Sequence, residues 1–302
     1  MKTCQIPEKI LIPGYHLTIP MSSVSGTRGP LAMVGLLRLG NCVMGALGAL
    51  LAALICAGPE LLLDYAVEVV LSMAIVVLFT GAGNALNDYF DREVDKVAHP
   101  ERPIPMGRVS PRSALALSAV MFSLTVLTSV FVNLWSVLMV VTSIIFMVAY
   151  ETLLKAEGLA GNLVISWLTG ALFLFGGAAV DRMEVAWPLA ALAFMATLGR
   201  EIVKDVQDID GDRGSRTTLP MRVGARNAGL AASAAFVGAV AMSPVPYLLD
   251  QLSVWYVPVV AVADGMFIYC LAVHFSDPGK GQKVAKLAML VALIAFLLGG
   301  IT

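Results

Sequence analysis

Nine stretches of this chain are apolar over a length that only a bilayer rewards, and this confines the fold more than any other feature. A helix crosses the hydrocarbon core with about twenty predominantly apolar residues. Segments 32–57, 62–87, 112–132, 134–153, 160–180, 186–204, 226–248, 253–274 and 284–301 have that character. Charged residues make up 14% of the 302-residue chain, against about 25% in a soluble domain. The pattern predicts an all-α integral membrane protein, a bundle of about nine transmembrane helices with a polar cytoplasmic cap. Residues 31–302 read as a single transmembrane domain. Residues 1–30, punctuated by Pro7, Pro13, Pro20 and Pro30, read as a flexible N-terminal lead-in. They lack the basic end, apolar run and cleavage site of a signal peptide.

Lysine and arginine set the expected orientation. The loops after helices 2, 4, 6 and 8, with their adjoining helix ends, hold 15 of the 20 basic residues, and four more precede the first helix or begin it. The opposite loops contain only Arg182. The N-terminus and the two long polar connections, 88–111 and 205–225, are therefore expected in the cytoplasm, and the C-terminus outside a cell membrane crossed many times. A net charge of −1 provides no basic field for nucleic acid. The cysteines (Cys4, Cys42, Cys56 and Cys270) have neither metal nor redox spacing.

The two long connections carry the chemistry. Segment 84–95 reads Asn-Ala-Leu-Asn-Asp-Tyr-Phe-Asp-Arg-Glu-Val-Asp, with Asp88, Asp91 and Asp95 spaced by three and then four. Asp205, Asp208 and Asp212 repeat that spacing 117 residues later, while Asp210 falls out of step. Steps of three and four align side chains on one helix face, so each cluster presents a stripe of carboxylates, extended in the first by Asn84 or Asn87. Two facing stripes would repel one another. Mg²⁺ would relieve that conflict, because it takes carboxylate, water and phosphate oxygens. The bland alternative is a set of solvated helix ends paired with neighbouring Arg92, Lys96 and Lys204. Matched clusters on one membrane side count against it, since carboxylates at the edge of a bilayer are costly.

Basic residues accompany the acids. Arg102, Lys155 and Lys204 are candidate diphosphate contacts, since acids to hold metal and bases to hold phosphate oxygens suit a diphosphate. Arg38 and Asn41, three apart near the cytoplasmic end of the first helix, are candidates for the same cavity.

The string Asn87-Asp88-x-x-Asp91-x-x-x-Asp95, together with Asp208-x-x-x-Asp212, resembles the motifs of the UbiA-type intramembrane prenyltransferases. The resemblance runs from about residue 30 to the C-terminus. The stretch Arg200-Glu201-Ile202-x-Lys204-Asp205-x-x-Asp208-x-x-Gly211-Asp212, followed by Thr218-Leu219-Pro220, is most similar to one branch of that family. That branch makes archaeal ether lipids by adding a geranylgeranyl group to the free hydroxyl of geranylgeranylglyceryl phosphate. Other branches prenylate aromatic acceptors such as 4-hydroxybenzoate or a naphthoate.

The resemblance implies Asn87, Asp91 and Asp95 on one Mg²⁺ ion, Asp208 and Asp212 on a second, and Asp88 and Asp205 assisting. It implies Arg102, Lys155 and Lys204 facing the isoprenoid diphosphate, with Tyr150 near its allylic carbon. The partners implied are the diphosphate, a lipid or aromatic acceptor, and membrane lipid. A cation transporter is the alternative of another class. Its acids usually lie near mid-membrane in inverted repeats, whereas these lie at helix ends in parallel repetition.

Overall fold

The structure, a computed structural model, describes residues 30–155, 157–212 and 217–301, with the side chains of Pro30 and Asp212 outside the description. All but Pro30 of the expected lead-in is likewise outside it. In chain order the helices are α1 (Pro30–Leu37), α2 (Leu39–Leu61), α3 (Ala66–Phe90), α4 (Arg92–Ala98), α5 (Pro111–Ser129), α6 (Leu134–Ala149), α7 (Leu159–Ala179), α8 (Met183–Gln207), α9 (Ile209–Asp212), α10 (Leu219–Val223), α11 (Ala225–Met242), α12 (Val245–Leu248), α13 (Tyr256–Val273) and α14 (Pro278–Ile301). Among the described residues nine spans are long and apolar enough to cross a membrane. They coincide with the nine expected segments to within several residues.

Each spanning helix touches the next in chain order, and α14 returns to α2, so the bundle closes on itself. Membrane helices gain little by hiding apolar side chains from lipid, so close backbone approach at small residues holds them together. Gly176 on α7 illustrates this: a Cβ there would meet the Ala52 side chain and come within 2.9 Å of the Ala53 nitrogen on α2. The neighbouring Gly177 similarly faces Ala186 of α8. Gly176→Ala is therefore expected to cost about 1–3 kcal/mol of stability, read as a lowered melting temperature in detergent. Gly45 instead borders an apolar cavity of about 160 Å³ in the membrane, lined also by Phe79, Thr80, Met139, Ser143 and Phe175.

Two differences from the expected helices bear on function. The first helix is not continuous over 32–57. Arg38 adopts a left-handed conformation (φ 50°, ψ 64°) and separates α1 from α2. The break frees the Leu37 carbonyl, which accepts from Asn84 Nδ2 at 2.8 Å and from Cys42 Sγ at 3.2 Å. In the fourth spanning segment, Tyr150–Leu154 winds as a π turn in which the Lys155 N–H donates to the Tyr150 carbonyl at 2.9 Å.

Candidate active site

The first acidic cluster straddles the junction of α3 and α4. Asn87 and Asp88 lie in the last turn of α3 and Asp95 on α4, while Asp91 occupies the junction (φ −82°, ψ 0°) with its N–H on the Asn87 carbonyl at 2.8 Å. The connection after α4 folds back over these helix ends. Its Ile104 and Val109 are buried with Ala32, Leu36 and Ala85, and this apolar plug fixes Arg102 above the acids.

Each acid of this cluster is met by a base from another part of the chain. Asp88, with only 3% of its side chain exposed, pairs with Arg38 and lies 3.6 Å from Arg102. Asp95, also buried, accepts from Arg102 at 2.5 Å. Half-buried Asp91 accepts from Lys155 at 2.7 Å through each of its oxygens. The bases adjacent in sequence do something else. Lys96 pairs with exposed Glu93 at 2.6 Å and holds that carboxyl below the usual range. Arg92 bonds the Tyr89 carbonyl at 2.7 Å and lies over its ring. The helix-end alternative assigned such neighbours to the aspartates, and here they are engaged elsewhere.

The second cluster has the same local build. Asp205 is buried near the end of α8 and accepts from Asn162 Nδ2 at 2.8 Å. Asp208 ends that helix at a second junction (φ −95°, ψ 8°), its N–H on the Lys204 carbonyl at 3.0 Å, and the short α9 follows. Asp91 and Asp208 are therefore equivalent in conformation as well as in spacing. Asp212 closes α9, and the expectation for its side chain lies outside the described residues. Out-of-step Asp210 is exposed.

Lys155 connects the two halves. Besides holding Asp91, it lines a small polar cavity with Tyr150, Asn162, Glu201, Lys204 and Asp205. Buried Thr218 also lines it, and its hydroxyl has no hydrogen-bond partner among the described residues. The wall is set by Gly158 (φ 61°), where a Cβ would lie 3.0 Å from the Leu219 nitrogen and 3.1 Å from the Thr217 carbonyl. Only glycine combines that dihedral with so close an approach.

Not every expected residue joins this site. Asn41 is exposed on the first turn of α2, apart from the hydrogen bonds that link the cluster. Asn84 is spent on the Leu37 carbonyl. Lys204 does join it, at the polar cavity, where it lies 3.8 Å from Glu201, which Arg200 also contacts. Three further participants lie outside the acidic spacing pattern: Glu151, Asn162 and Glu201. All are polar side chains buried within apolar helices, and that alone is a signal in a membrane protein.

Among the described residues no three acids, histidines or cysteines converge as a ready-made metal cage. The donors nevertheless suit Mg²⁺: carboxylate and amide oxygens only, with room for substrate phosphate to complete the shell.

A closed bundle of membrane helices with acids and bases gathered at one end defines a multi-pass membrane protein with a charged site at the end of its spans. Residues 35–297 match the UbiA prenyltransferase family, and the chain belongs to that family and is a prenyltransferase. It is 39% identical over 269 residues to the digeranylgeranylglyceryl phosphate synthase of Natronomonas pharaonis, covering 88% of this chain and 96% of the relative. It is 41% identical over 276 residues to the synthase of that name from Methanococcoides burtonii, covering 87% and 98%. A solved digeranylgeranylglyceryl phosphate synthase structure superposes with a TM-score of 0.82 at 31% identity, covering 90% of this chain and 98% of that one. A UbiA homolog from Archaeoglobus fulgidus bound to GPP and Mg²⁺ shares the fold, with a TM-score of 0.61 at 14% identity over 88% of this chain and 99% of that one.

Proposed function

We propose that the protein transfers a geranylgeranyl group from its diphosphate to the free hydroxyl of geranylgeranylglyceryl phosphate, as its relatives' names describe for them. The observation that carries this reading is the 35–43% identity to synthases of that one name, from haloarchaea and methanogens alike. The paired acidic junctions supply the chemistry it needs.

In this reading Asn87, Asp91 and Asp95 would hold one Mg²⁺ ion, and Asp208 and Asp212 a second, with Asp88 and Asp205 assisting. The metal supplies charge neutralisation for a departing pyrophosphate. Arg102, Lys155 and Lys204 clamp the diphosphate oxygens, and Arg38 supports them through Asp88. The isoprenoid tail extends into the apolar cavity beside Phe79 and Phe175. The C1–O bond breaks with its electron pair to pyrophosphate, leaving an allylic cation that the apolar walls and Tyr150 shield from water. The acceptor hydroxyl oxygen bonds to C1, and its proton passes to pyrophosphate or to a carboxylate of the cap. No covalent enzyme intermediate is needed. The distribution of lysine and arginine supports an orientation with the N-terminus and this cap in the cytoplasm and the C-terminus outside.

The test is detergent-purified protein with radiolabelled geranylgeranyl diphosphate and Mg²⁺, offered geranylgeranylglyceryl phosphate, 4-hydroxybenzoate or a naphthoate in separate reactions. Label is expected in the glyceryl phosphate lipid alone, and EDTA is expected to abolish transfer. Transfer only to an aromatic acid would overturn the acceptor assignment. Labelled diphosphate that neither reacts nor binds would overturn the proposed reaction and favour ion transport.

A further inference from the structure

Glu151 is buried at the end of the fourth spanning segment, with 2% of its side chain exposed, and nothing in the spacing of the acidic motifs includes it. Its two carboxyl oxygens each accept from a different partner. Oε1 takes an N–H of Asn87 Nδ2 at 3.0 Å, and Oε2 takes Lys155 Nζ at 3.1 Å. The second N–H of Asn87 goes to Asp91 Oδ2 at 3.0 Å. Both protons of that amide nitrogen are thus used on carboxyl oxygens, which turns Oδ1 the other way, where it accepts from Arg38 at 3.2 Å. A side-chain amide has nearly the same shape when flipped, and only its hydrogen-bond partners decide which end faces where. Flipped, Asn87 would set its oxygen against two carboxyl groups and its N–H against a guanidinium.

We infer that Glu151 is a positioning residue of the prenyl transfer site, locking the Asn87 amide so that its oxygen is the end offered to a bound divalent cation. The inference rests on the reading of Asn87 as an oxygen donor to that cation. Asp91 also orients the amide, but its oxygens are themselves claimed when metal binds. Glu151 is then the remaining partner of Nδ2. It also retains Lys155, so this lysine keeps a carboxyl partner when Asp91 lets it go. The π turn makes the arrangement possible. The Lys155-to-Tyr150 bond across Tyr150–Leu154 closes a wider turn, in which Glu151 and Lys155 together reach Asn87 and Asp91.

The experiment measures Mn²⁺ binding by electron paramagnetic resonance on full-length protein in detergent, with the unreactive analogue geranylgeranyl thiolodiphosphate present. Orienting partners of metal ligands typically contribute about 10–100-fold in affinity. Glu151→Gln is expected to weaken Mn²⁺ binding about tenfold, because glutamine can present its own N–H₂ to Asn87 and let the amide flip. Its melting temperature without metal should stay near wild type. Glu151→Asp, one methylene shorter, should fall between the two.

The decisive variant is the pair. Asn87→Ala removes the amide altogether and should itself weaken Mn²⁺ binding about tenfold or more. Adding Glu151→Gln to Asn87→Ala should cost little more, because no amide is left to orient, whereas a residue acting independently of Asn87 would cost its full factor again. Wild-type affinity in Glu151→Gln, or a double variant that loses the full Glu151→Gln factor again on top of Asn87→Ala, overturns the inference. Wild-type protein that binds no Mn²⁺ overturns the metal reading itself, and the inference with it.

Discussion

Asp91→Ala and Asp208→Ala are each expected to lower turnover by about a thousandfold or more, while leaving a folded, monodisperse protein. That factor corresponds to about 4 kcal/mol of lost transition-state stabilisation, the scale of removing a group that places a metal on developing charge. Both residues stand at junctions between a long and a short helix with ordinary negative φ, so alanine adopts the same backbone. Losing the Asp91 carboxylate also does not strand Lys155, which retains Glu151 at 3.1 Å. Activity should therefore separate from stability. The assay is label transfer at saturating Mg²⁺, with size-exclusion elution and melting temperature run in parallel. If both variants kept substantial activity, the two-cluster mechanism would fail.

The repeated conformation of the two junctions explains why the acids could be read from spacing while their partners could not. Intervals of three and four place Asp88, Asp91 and Asp95 along one side of a helical path, and the same intervals recur at Asp205, Asp208 and Asp212. Any helix conveys that information locally. Arg102 meets Asp95 from only seven residues away, but the other bases reach across 49 to 64 residues, as from Arg38 to Asn87 or Lys155 to Asp91, and no local period encodes those. The spans were equally legible, because lipid imposes the length and apolarity of each helix separately. The break at Arg38 was not. It depends on Asn84, 47 residues away, being available to the Leu37 carbonyl. A spacing of three brings Asn41 to the same face as Arg38 only along a continuous helix, and the break removes that premise.

Arg38→Ala should reveal how much of the first cluster is structural. Asp88 has 3% of its side chain exposed, and Arg38 is its direct partner, with Arg102 farther off at 3.6 Å. Breaking a buried pair typically costs about 3–5 kcal/mol, and since Asp88 keeps the more distant Arg102 the loss is expected at the lower end of that range. The variant should melt roughly 6 °C or more below wild type, taking about 2–4 °C per kcal/mol for a chain of this order of size. Backbone strain should not contribute, because alanine at φ 50° meets the same penalty as arginine. Replacing both partners by apolar residues of similar volume (Arg38→Met with Asp88→Leu) removes the stranded charge. Such replacements are often neutral or stabilising, so the double variant should recover most of the lost melting temperature. It should not recover prenyl transfer, because Arg38 also donates to the Asn87 amide oxygen and Asp88 holds Arg102 beside the diphosphate clamp. Recovery of both stability and turnover would reduce the pair to a packing element. Recovery of stability alone assigns the pair's polar chemistry to catalysis, since a bilayer-edge bundle retains a buried ion pair at a cost that an apolar pair avoids.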